Sequence, residues 1–246
     1  MNNSLFDAAG HYFAAAAKSY DHLQPVVAGP GYAGGMAFVV DLIPRQDEDS
    51  FVCVELGCGT ASLAKSVLDR FPHASAVALD SEPAMLDIAR RKLAPYGGRA
   101  RVTEGEATVC ALPPADLVLS AFMLHHVPPE SLGALFQRVS GALNPSGCLI
   151  VLDTMRVGAP WGEAIGAQSR RLYQQHINAA IAAGCCTQDE IDARWEFKRR
   201  MKAEGKDVEC SHCAEDLAAA VQEAGFAEVG VVWRRFAFTI MVAFKP

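Results

Sequence analysis

The run Phe51-Val-Cys-Val-Glu-Leu-Gly-Cys-Gly-Thr60 carries the residues of this chain best spaced to hold a ligand. A strand-like stretch meets Glu55, then Gly57-Cys58-Gly59, then a helix start capped by Thr60 or Ser62. Glycines remove Cβ atoms, so a ligand can approach the backbone, and the helix that follows offers free N–H groups. One βαβ repeat later, Ala76-Val-Ala-Leu-Asp80 is a second apolar strand ending in a carboxylate. That geometry places Asp80 beside the glycine turn, where it can accept hydrogen bonds from the two hydroxyls of a ribose. His125 and His126 follow a fourth strand, so one of them faces the same cavity and could act as a base. Cys185-Cys186 and Cys210-Ser-His-Cys213 supply two thiol pairs, but without the regular spacing of a zinc site, and no metal is expected.

The elements that must position these residues follow from pattern and punctuation. Residues 4–20 read as an amphipathic helix, followed by a Gly- and Pro-rich break and a short helix over 36–43. Strands are expected at 51–56, 75–80, 101–104, 117–120 and 148–153, with a turn at 144–147. Helices fall between them. Ser81-Glu82-Pro83 starts one, with the serine hydroxyl as cap, and Pro128-Pro129-Glu130 another. Residues 160–204 are helical without strands, broken at Gly184, with a Thr187/Glu190 capping box. A helix from about residue 214 ends at Gly225, and strands at 227–234 and 236–244 form an antiparallel pair. The expected fold is α/β: a doubly wound, mostly parallel sheet, with ligands at the strand carboxyl ends.

Composition bounds the partners. The 246 residues suffice for one α/β domain, expected over 45–246 with the helical insertion at about 160–204, behind an N-terminal helical lid at 1–44. A formal net charge of −6 argues against broad nucleic-acid binding. No apolar stretch reaches transmembrane length, and the first residues lack a basic and apolar leader, so a cytoplasmic protein with reduced thiols is expected. The basic run Arg194–Lys202 reads as a solvated helix face or the edge of a homodimer.

The turn Gly57-Cys-Gly59-Thr-Ala61 lacks the spacing of a dinucleotide-binding G-x-G-x-x-G motif, since position 62 is serine. Together with Asp80 and Gly105-Glu106-Ala107, the run Glu55–Thr60 resembles the class I S-adenosylmethionine (SAM)-dependent methyltransferases over roughly residues 50–153. The resemblance implies a seven-stranded Rossmann-like sheet, SAM as cofactor and S-adenosylhomocysteine as product. It implies that Gly57, Cys58 and Gly59 face the methionine part, that Glu55 supports the turn and reaches the ammonium through water, and that Asp80 holds the ribose. Ser81 and Met85 would flank adenine, and Glu106 and Ala107 would meet its edge. Ser120, Ala121 and His125 would line the floor near the methyl group, with His125 the candidate base. The family often has a third glycine where Ala61 stands and Asp where Glu106 stands.

A closer architectural resemblance is to the carboxy-SAM synthases of tRNA wobble-uridine modification. It rests on Pro30-Gly-Tyr32, the long helical insertion, Glu223-Ala-Gly-Phe226, and Trp233 to Phe244-Lys245. It implies that Tyr32 covers SAM. That family's asparagine after strand four is Ala121 here, and Arg199 and Arg200 compete for its carboxylate-binding arginine. The expected function is therefore SAM-dependent methyl transfer to a small molecule, with Tyr12, Tyr20, Arg170 and Tyr173 as candidate substrate contacts. The alternatives are a carboxy-SAM synthase-like enzyme and a non-catalytic SAM-binding protein.

Overall fold

The computed structural model describes residues 4–157, 161–205, 209–210 and 212–246; for 4–13, 15, 16 and 161 only the backbone is described. Seven strands form one sheet in the order β3-β2-β1-β4-β5-β7-β6. They are β1 Val52–Leu56, β2 Ser75–Asp80, β3 Ala100–Glu104, β4 Ala115–Ala121, β5 Leu143–Thr154, β6 Glu228–Arg235 and β7 Phe238–Phe244. The first five run parallel; β7 is antiparallel to both β5 and β6. This is the expected doubly wound, mostly parallel sheet.

Alternation along the strands divides the core into two faces. Leu117, Leu119, Ile150 and Leu152 pack with Val39 and Val40 of α2 (Tyr32–Asp41) and with Leu63 and Val67 of α3 (Ser62–Arg70). Val118, Leu149 and Val151 pack on the other face, against α5 (Pro129–Ala142) and α8 (Ala214–Glu223). Each fully buried leucine here contributes about 1.5–3 kcal/mol. Helix α4 (Pro83–Leu93) covers β2 and β3 through Leu86, Ala89 and Leu93.

Helices α1 (Ser4–Val27) and α7 (Gln188–Ala203) meet the strand carboxyl ends, and α6 (Trp161–Ala182) packs against α1. They share a small core of their own, built from Leu23, Val26, Val27, Ile177 and Ile191. The Thr187/Glu190 capping box forms as expected.

Several boundaries differ from expectation. Helix α1 runs on to Val27 through Pro25, and α2 begins at Tyr32 rather than 36. Gly35 lies inside α2, where the helix packs closely on β5: a Cβ there would stand 3.2 Å from Leu152. Strand β5 starts at Leu143 rather than 148: Leu143 pairs with Ala115 across a register shift, and Asn144 Nδ2 donates to Asp116 (2.8 Å). The α4 cap is the Glu82 carboxylate, which accepts from Ala84 N–H (3.1 Å), not the Ser81 hydroxyl.

Candidate active site

The β1–α3 turn is built on positive φ. Gly57 (63°), Gly59 (53°) and Ala61 (59°) all adopt it, and a Cβ on Gly57 would lie 2.3 Å from Met123 Cγ. Ala61 is the N-cap of α3 and offers no side-chain acceptor. Glu55 supplies one instead, its Oε2 accepting from Ala64 N–H at 2.9 Å. The expected Thr60 or Ser62 cap is therefore corrected: a carboxylate reaching up from the strand does that work. The Thr60 hydroxyl donates to Asp21 of α1, and Lys92 of α4 donates to Thr60 (3.0 Å) and Ser62 (2.8 Å). Asp80 crosses to the turn. One of its oxygens accepts from Gly59 N–H (2.7 Å), the other from Glu82 N–H (2.9 Å).

The turn forms one wall of an open cleft of about 1040 Å³. Burial pushes Glu55 up to about 8; the Ala64 hydrogen bond opposes this, and the Asp80 charge adds to it. Burial also raises Asp80, against the pull of its backbone donors. Phe122 stands where β4 ends, with φ of 55°, its ring stacked on Tyr32 (5.0 Å) and edge-on to Phe238 (5.7 Å). A side chain held in this region marks a position that its surroundings over-determine.

A second, open cavity adjoins the first, and Tyr20, Phe122 and His126 line both. His125, Arg194, Trp195, Lys198 and Glu209 line the second cavity. His125 Nδ1 lies 2.6 Å from Asp153 Oδ1. Asp153 is buried at the end of β5 and also accepts from the N–H groups of Leu124 (2.7 Å), His125 (3.3 Å) and Thr154 (2.7 Å). Burial alone would depress His125; the charge and hydrogen bond of Asp153 outweigh it, and the imidazole titrates above its ordinary value. Burial likewise favours the neutral acid at Asp153, but His125 reverses this and holds the carboxyl below its usual range.

Residues 53–147 match the methyltransferase domain family. These residues form a methyltransferase domain, of the kind that the resemblance in the sequence implied. A carboxy-SAM synthase of Citrifermentans bemidjiense is 27% identical over 224 residues, covering 88% of this chain and 85% of that one. Among solved structures, human N-acetylserotonin methyltransferase in complex with SAM superposes with a TM-score of 0.64 at 17% identity, over 100% of this chain and 60% of that one. PigF with SAH superposes with a TM-score of 0.66 at 20% identity, over 100% and 63%. The chain thus spans less than two thirds of the length of either structure.

Of the residues expected to hold the cofactor, Tyr32, Glu55, Gly57, Cys58, Gly59, Asp80, Ser81, Met85, Glu106, Ala107 and Ala121 line the cleft of the methyltransferase domain. Ser120 does not. Strand alternation turns it away from Ala121 into the core, where its hydroxyl has no hydrogen-bond partner among the described residues. Tyr20 lines both cavities. Tyr173 lines neither: its hydroxyl donates to the Val27 carbonyl (2.9 Å) and its ring meets Trp195, so it ties α6 to α1 and α7. Arg170 is exposed on α6 and lines neither cavity. The Tyr12 side chain lies outside the described residues. Sequence reasoning missed Asp153, Asp21, Lys92 and Phe122. A buried acid ending a strand beside a histidine strand-end was the one local signal for Asp153.

Among the described residues, no three His, Cys, Asp or Glu side chains are grouped to hold a metal ion, and no helix is long and apolar enough to cross a membrane.

Proposed function

We propose that this chain binds SAM in the glycine-turn cleft and transfers its methyl group to a small-molecule acceptor in the second cavity. The donor set supports the cofactor. Asp80 offers a carboxylate to ribose hydroxyls, Glu55 an acid for an ammonium, and Glu106 an acceptor for an exocyclic amine, all lining the same cleft. Tyr20, Tyr32 and Phe122 present aromatic rings, which favour a sulfonium as they favour other cations. When bound, SAM supplies an activated methyl for in-line displacement from a neutral leaving group.

The observation that carries the reading is the junction of the two cavities, with the His125–Asp153 pair on the acceptor side. Asp153 holds Nδ1–H, which leaves Nε2 of the neutral imidazole as the base for an acceptor that must lose a proton. Helices α1, α6 and α7 act as the lid, excluding water from the junction.

The carboxy-SAM synthase-like alternative has less support. Arg199 and Arg200 are exposed on α7 and line neither cavity, and Ala121 has no side-chain donor. A homodimer in the cytoplasm is part of the proposal; β6 is an edge strand with half-exposed Val231 and Val232. Sedimentation analysis tests the dimer.

The function is tested with methyl-labelled SAM and a panel of hydroxyl, amine and thiol acceptors. Labelled product with S-adenosylhomocysteine is expected. A carboxylated nucleotide on supplying prephenate, or SAM binding without turnover across the panel, would reject the reading.

A further inference from the structure

Beyond the helical insertion, residues 209–210 and 212–213 form a return segment that lies along the turn carrying His125. Cys210 donates its backbone N–H to the His125 carbonyl at 2.6 Å. His212 is buried, and its Nε2 lies 3.0 Å from both the Leu124 carbonyl and the Val127 carbonyl. Carbonyl oxygens only accept, so this nitrogen carries a proton and donates to both. The His212 carbonyl accepts from Arg156 N–H (2.7 Å), just beyond β5. One imidazole thus bridges the residue before His125 and the residue after His126, while its own backbone is anchored beside the strand that ends in Asp153.

We propose that His212 is a positioning residue that holds the 124–127 turn so that His125 meets Asp153. The proposal rests on the reading of His125 as the base. The turn is pinned from two sides. Asp153 takes its N–H groups, those of Leu124 and His125. His212 supplies a donor to its carbonyls, those of Leu124 and Val127. Buried carbonyls deprived of a donor shift to find another, and a short turn cannot shift without carrying its side chains along. The lid enters the same arrangement: Glu209 of the return segment pairs with Lys198 of α7 at 2.7 Å. The charges bearing on His125 are therefore Asp153 from β5, Glu209 from the return segment and Lys198 from α7, with His126 packed on its ring at 4.1 Å.

Side-chain ¹⁵N NMR titration of the full chain tests this without any acceptor. His212 should carry its proton on Nε2. In His212→Leu the midpoint of His125 should fall by about one pH unit, a tenfold loss of proton affinity. His212→Gln, whose amide can donate to the same carbonyls, should recover at least half of that. An unchanged His125 midpoint in folded His212→Leu overturns the proposal, as does a glutamine that restores nothing. Should His212→Leu fail to fold, the wild-type tautomer decides: Nε2–H supports the role, and a proton on Nδ1 with Nε2 bare rejects it. Methyl transfer is measured separately, so loss of the base reading and loss of the positioning role are distinguishable.

Discussion

Asp21 of α1 and Lys92 of α4 form an ion pair of 2.7 Å beside the glycine turn. Both also bond Thr60, so the N-terminal helix is latched directly to the glycine turn that walls the first cleft.

That latch should matter for cofactor retention. Asp21 is nearly half exposed, so the pair is worth at most about 1 kcal/mol. Asp21→Ala should weaken SAM binding by about threefold to fivefold. Titration calorimetry at low and high salt checks this; the wild-type protein should lose part of the difference at high salt. Equal affinities at both salt concentrations would remove the latch from the account.

Glu55 gives the empty protein a pH signature. An unfolded glutamate titrates near ~4.3, whereas burial holds the folded group at about 8. The folded chain binds this proton more tightly, so the stabilisation is complete below the unfolded value and is lost as pH rises through about 8. Urea midpoints of wild type should fall across that window relative to Glu55→Gln, which keeps an acceptor for Ala64 N–H and cannot ionise. Parallel pH profiles would contradict the assignment.

The His125–Asp153 pair has a bounded window. The raised imidazole stabilises the fold fully below its unfolded midpoint and loses that contribution as pH climbs through the folded one. The lowered carboxyl stabilises it above its own unfolded midpoint and loses that as pH falls through the folded one. Asp153→Ala, which strands a buried imidazole and three backbone N–H groups, should cost about 3–5 kcal/mol in denaturant melts. For an acceptor that must be deprotonated, transfer should speed up as pH rises through the His125 midpoint, and His125→Gln should flatten that limb.

The two glycines of the turn should separate strain from crowding. Both have positive φ, but a Cβ on Gly59 meets nothing within 4 Å, whereas one on Gly57 would strike Met123. Gly59→Ala should cost about 1–2 kcal/mol from backbone conformation alone. Gly57→Ala should cost more, and Gly57→Ala with Met123→Ala should recover the excess; thermal melts of the three variants decide it.

The sequence by itself determined the parts that depend on neighbours in the chain. The β1–turn–α3 unit, Asp80 at the end of β2, the Thr187/Glu190 capping box and the closing antiparallel pair all follow from strand pattern, glycine conformation and short-range capping. Those same residues were enough to indicate the cofactor. Tertiary structure decided what depends on meeting across the fold. Glu55 rather than Thr60 caps α3, Ser120 turns into the core, and Tyr173 braces α1 instead of lining the second cavity. Asp153 joins His125 only because β4 and β5 lie side by side. Propensity and periodicity act over a few residues, whereas the partner of a buried polar group is chosen by the packing that removes water from both.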